Sequence, residues 1–157
     1  MKTLKVSRVI DVPLSITWKV ISDVAGYAQY APNIQTSTIV SGQGVGMIRE
    51  CTSTEGRWQE QCTRWQENHL YSFQVQTQAK DYPYPFSVLN AEWSVKTRNP
   101  TCSIMTLNIE VEFKNTFLGW ALFPVLKRKY LKICNELMDN WEEKALSDQQ
   151  YAKILDA

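Results

Sequence analysis

The sequence predicts an α+β domain: a seven-stranded antiparallel sheet with its inner face on a long C-terminal helix, and two short helices after the first strand. Three observations carry this. From residue 34 to 113, apolar and polar side chains alternate in short runs separated by turn formers, which is the period of strands. One side of the alternation stays polar, as in an antiparallel sheet with one face in water. After Phe113 the apolar spacing changes to threes and fours, the period of an amphipathic helix.

The first strand is legible from Thr3 to Val12, where Leu4, Val6, Ile10 and Val12 share a side. Pro13 then opens a helix, the position where its missing N–H does no harm. Leu14, Trp18, Ile21 and Ala25 recur at helical spacing, and Gly26 is a natural stop. "YAQYAP" allows one more helical turn before Pro32. Six strands follow, over 34–41, 46–54, 57–67, 70–78, 86–96 and 102–113, each ended by a turn-forming phrase such as "SGQGVG" or "DYPYP". In the last helix Leu126, Tyr130, Ile133, Leu137 and Trp141 form one stripe, which only the sheet is large enough to bury. No repeat or linker divides the chain, so residues 1–146 read as one domain and 147–157 as a C-terminal tail.

Bulk properties narrow the function classes. A net charge of +1 gives no global attraction to nucleic acid or to an anionic membrane. The opening "MKTLKVSRVIDV" reads as a strand and not as a signal peptide. The longest apolar run, "FLGWALFPVL", is about half the length of a membrane-spanning helix. Cys51, Cys62, Cys102 and Cys134 form no CxxC pair, which predicts buried reduced thiols and a cytoplasmic location. No metal-binding or nucleophile motif is present, so neither cofactor nor metal is expected. The one histidine, His69, falls in a turn.

The hairpin "ECTSTEGRWQEQC" raises the functional question. A two-residue turn at Glu55-Gly56 would pair Cys51 with Glu60 and Arg49 with Cys62. Glu50, Thr52, Gln59, Gln61 and Thr63 then face water. The covered side holds Trp58, Cys51 and Cys62, but also Arg49 and Glu60. A plain core has little use for those two charges.

The element order, together with "SRVIDVPLSITWKVISDVAGYAQYAP", "GQGVGMIRE", "RWQEQCTRW" and "YSFQV", resembles the START-like (SRPBCC) superfamily. That superfamily has the helix-grip fold and includes polyketide cyclases, lipid-transport proteins and coenzyme Q-binding proteins. The resemblance implies a curved sheet wrapped around the C-terminal helix. It also implies a hydrophobic cavity between them for a lipid, polyketide or quinone type of ligand.

In that fold Arg49, Trp58 and Glu60 would face the cavity, with Tyr71, Phe73 and Trp93 as walls. Arg49 and Glu60 have two readings: a structural ion pair, or polar anchors for an otherwise apolar ligand. Trp120, in the apolar run placed just ahead of the long helix, is either core or a lip at the cavity mouth. Lys127, Arg128, Lys129 and Lys132 form a solvated face, or else meet phosphates of RNA or anionic lipid. The leading expectation is binding or transport of a hydrophobic small molecule. The alternatives are a cyclase/dehydratase using Glu60 or Tyr71, and a module that contacts ribosome, RNA or a membrane surface. Nucleic acid is not the expected partner; transient membrane contact is compatible with the basic stripe.

Overall fold

Alternation in "KTLKVSRVI" makes β1 (Lys2–Ile10), and the turn at Asp11–Pro13 leads into α1 (Leu14–Ile21), in a computed structural model that describes residues 1–157. A short 3₁₀ turn, Tyr27–Gln29, forms the second helical piece. The remaining strands are β2 (Thr36–Ser41), β3 (Ile48–Thr52), β4 (Arg57–Gln66), β5 (Leu70–Val75), β6 (Phe86–Asn99) and β7 (Cys102–Phe113). They form one antiparallel sheet in the order β1-β7-β6-β5-β4-β3-β2, and α2 (Thr116–Leu155) closes the chain. This is the helix-grip architecture, with β1 beside the last strand and the later strands joined as consecutive hairpins.

The inner face of the sheet supplies Tyr71, Phe73, Val75, Trp93, Val95, Met105 and Leu107, all buried. Against it lie α1 and the C-terminal half of α2, whose Cys134, Leu137, Met138, Trp141 and Ala145 are buried. Polar contacts pin the layers together. Tyr71 donates to the carbonyl of Ile21 at the end of α1 (2.6 Å), and Asn140 of α2 donates to the carbonyl of Tyr30 (2.7 Å). Arg8 of β1 bonds Asp139 and Glu142 of α2. All four cysteines are buried and free.

Two details differ from the sequence reading. The β3–β4 hairpin pairs Arg49 with Glu60 and Cys51 with Trp58, a register two residues from the expected one. Its loop is longer: the Ser53 N–H donates to the Gly56 carbonyl (2.8 Å), and Ser53 Oγ accepts from the Glu55 N–H (3.1 Å). A slip of two residues keeps every side chain on its face, so the covered set stands, but Arg49 and Glu60 are direct rather than diagonal neighbours. The second difference is at α2, which begins at Thr116 and so includes the apolar run that was expected ahead of it. Asn115 caps it, its side-chain oxygen accepting from the Leu118 N–H (3.0 Å), and Pro124 lies inside it. The segment 147–155 continues the same helix.

Candidate functional site

Because β3 and β4 lie side by side, Arg49 and Glu60 meet across the strands on the inner face. Arg49 Nη2 donates to Glu60 Oε2 at 2.6 Å, and Trp58 Nε1 donates to Glu60 Oε1 at 2.7 Å. Arg49 is fully buried and Glu60 is 7% exposed. The guanidinium lies 4.3 Å from the ring centroid of Phe73 and 4.5 Å from that of Tyr27, with Trp93 at 5.9 Å. Burial opposes its charge most strongly, but the adjacent Glu60 carboxylate together with the nearby Cys51, Tyr27 and Tyr71 outweighs that and holds Arg49 above its ordinary pKa. Burial first, and then Glu60, pushes the neighbouring Cys51 thiol up to about 12, so it stays protonated.

This cluster forms the polar part of the wall of a cavity of about 130 Å³ between sheet and α2. The rest of the wall is nearly all apolar: Leu89, Ala91, Leu107, Ile109 and Val111 from β6 and β7, and Leu126, Ile133 and Leu137 from α2. Four buried polar atoms around it make no protein hydrogen bond: Arg49 Nε and Nη1, Trp93 Nε1 and Tyr82 Oη. Buried donors are rarely left without partners. Half-exposed Phe113, Phe123 and Leu126, with exposed Lys127, put an opening of the cavity beside the first turns of α2.

A family model for polyketide cyclase/dehydrase and lipid transport proteins matches residues 1–145. The chain belongs to that family. Among curated proteins, none matches this polyketide cyclase/dehydrase and lipid transport family member. Solved structures similar to it include a Thermus thermophilus protein with TM-score 0.75 and 15% identity, covering 94% of this chain and 99% of that one. A START superfamily protein from Mycobacterium smegmatis aligns with TM-score 0.73 and 15% identity, over 92% of this chain and 97% of that one. The Zhui aromatase/cyclase of a Streptomyces species aligns with TM-score 0.67 and 14% identity, over 95% and 93%. At these identities the likeness establishes the START-like fold.

Within this family member, Arg49, Trp58, Glu60 and Trp93 do line the cavity together. The other three expected site residues stand elsewhere. Tyr71 is behind the wall, stacked between Trp65 (5.5 Å) and Trp93 (5.0 Å), because its hydroxyl reaches α1 and not the cavity. Phe73 lies beneath the Arg49 guanidinium and supports it. Trp120 is 72% exposed, because the turn of α2 that carries it points that face away from the sheet. Tyr27, Tyr82, Tyr84 and Tyr130 were missed as lining residues. Tyr82 and Tyr84 sit in "DYPYP", where prolines read as a turn; the alternation of aromatics with prolines was the available signal of an ordered segment.

Proposed function

We propose that this protein binds a small apolar ligand carrying at least one oxygen acceptor, with the Arg49–Glu60 pair and Trp93 orienting the polar end. The observation that carries the reading is a buried, donor-rich cluster in an otherwise apolar cavity. Arg49 Nε and Nη1 and Trp93 Nε1 are unpartnered donors, whereas the acceptor Glu60 is already engaged on both oxygens. A ketone, ester or quinone oxygen satisfies such a wall. The Arg49 charge is already balanced by Glu60, so a neutral acceptor enters without leaving a net charge in a dry interior. The family description, which includes lipid transport, supports the same reading. The size supports a slim ligand: an engineered apolar cavity of about 150 Å³ holds one benzene ring. A fused polycycle requires the wall to move.

A cyclase or dehydratase is the second reading, favoured by the family description and by a carboxylate in the cavity wall. Arg49 and Trp58 each take one Glu60 oxygen, so a proton transfer there would use the second lone pair on one of those oxygens.

The test is native mass spectrometry of purified protein with solvent extraction of what co-purifies. It compares wild type, Trp58→Ala and the double variant Arg49→Met/Glu60→Leu. Replacing a buried ion pair by apolar residues of similar size is often neutral for stability, so the double variant isolates binding from folding. We expect a bound apolar mass that both variants lose while still folded. A folded double variant retaining every ligand would reduce Arg49 and Glu60 to a structural pair.

A further inference from the structure

Helix α2 opens with "TFLGWALFPV", residues 116–125, which contains no charged side chain. A helix that is apolar all round is normally buried. Here Gly119 is buried and Phe123 half-buried, whereas Phe117 is 81% exposed, Trp120 72% and Val125 68%. The cause is local. Phe113 lies so close under the first turn that a Cβ on Gly119 would come within 2.4 Å of its ring. The helix therefore lands through Gly119 and Phe123, and the rest of its circumference faces away from the sheet.

A basic belt follows directly. Lys114 precedes the apolar turns, and Lys127, Arg128, Lys129 and Lys132 come after them, with no Asp or Glu between Glu112 and Glu136. The whole chain carries only +1, so the positive charge is concentrated at this end. Lys129 pairs with Glu55 and Lys132 approaches Glu136, which leaves Lys114, Lys127 and Arg128 outside the ion pairs. No helix is long and apolar enough to cross a membrane.

We propose that this end of α2 docks on the surface of an anionic lipid bilayer. Phe117, Trp120 and Val125 enter the interface, and Lys127 and Arg128 lie among the headgroups. Amphipathic aromatic rings favour that depth, and each basic side chain near an anionic leaflet adds to the attraction. A second copy fits less well, since pairing the patches would bring two basic belts together. RNA fits the charge but not Leu118, Leu122 and Val125, which offer neither a stacking face nor a hydrogen bond. Phe123, Leu126 and Lys127 also line the cavity opening, so the docked end is the end through which a ligand would pass. That transfer role rests on the binding reading; docking itself does not.

Co-sedimentation with vesicles tests it, using phosphatidylcholine alone and phosphatidylcholine with about one-third phosphatidylglycerol. Binding is expected on the anionic vesicles, falling with added salt. Phe117→Ser/Trp120→Ser and Lys127→Glu/Arg128→Glu should each weaken it roughly tenfold or more, with an unchanged thermal melt. Failure to sediment at low salt, or sedimentation indifferent to both double variants, overturns the proposal. So does a concentration-dependent dimer lost in Phe117→Ser/Trp120→Ser, or RNA binding lost only in the charge reversal. The extraction experiment on the same vesicle-binding protein separates the two readings. Docking without any retained ligand sinks the carrier and leaves the membrane site. A retained ligand without docking does the reverse.

Discussion

The two halves of α2 use apolar residues in opposite ways. From Cys134 to Ala145 the helix has one apolar stripe, and that stripe is buried. From Thr116 to Val125 it is apolar almost everywhere, yet most of those side chains face solvent. Charge divides at the same place: basic from Lys114 to Lys132, then predominantly acidic from Glu136 onward. Hydrophobicity alone thus does not tell which end holds the domain together. The pattern around the helix does: a stripe backed by polar residues finds a partner, whereas an all-round apolar turn has only one side on the sheet.

Breaking that contrast should give its largest effect with one substitution made at both ends. Trp141→Ala removes a buried indole packed on Tyr27, and should cost about 3–5 kcal/mol in urea unfolding. Trp120→Ala should stay within about 0.5 kcal/mol. Equal losses would mean that the exposed end is also structural.

Glu60→Gln, which strips the buried Arg49 of its counter-charge, should cost about 3–5 kcal/mol, while the apolar double replacement restores most of it. A Glu60→Gln variant as stable as wild type would show that the pair is well solvated. A smaller effect is expected at the landing point of the helix. Gly119→Ala, although favourable for helix propensity, should destabilise by about 1–3 kcal/mol, because Phe113 must shift. Stabilisation by Gly119→Ala would mean that the tip can lift freely.

Smallest at neutral pH is the effect of the buried thiols, a dependence of stability on alkaline pH. Burial pushes Cys134 from 9.0 up to about 11, and burial with Glu60 takes Cys51 to about 12. Groups raised on folding contribute stability that is full below the unfolded value. It is lost as pH rises through the folded one. The urea midpoint should therefore fall above pH 9, and Cys134→Ala should reduce the slope. A midpoint flat to pH 11 would contradict the burial of these thiols.

Much of the fold was legible because its signals are local. Strand alternation, Pro13 and the stripe Leu126–Trp141 each arise from a few neighbouring residues. The mixed covered face of the 50–62 hairpin was legible for the same reason, since strand parity survives a register slip of two. Tyr71 was misplaced because parity names a face and not a depth. Phe73 shares that face but lies under Arg49 and not in the wall. Tyr27 reaches the cavity from a single 3₁₀ turn, and Tyr82 and Tyr84 from an irregular segment, all too short for a period to be read.

The antiparallel sheet, the long helix and the identity of the odd charged pair follow from local pattern, because each depends on periodicity or residue type. That Arg49 and Glu60 are direct partners, that Arg49 and Trp93, with their unpartnered donors, line a cavity, and that Trp120 points away from it emerged only with the packed chain. Those facts depend on loop length, on the close approach of Phe113 to Gly119, and on which side of a helix meets the sheet. They are relations between distant segments, and no local pattern encodes them.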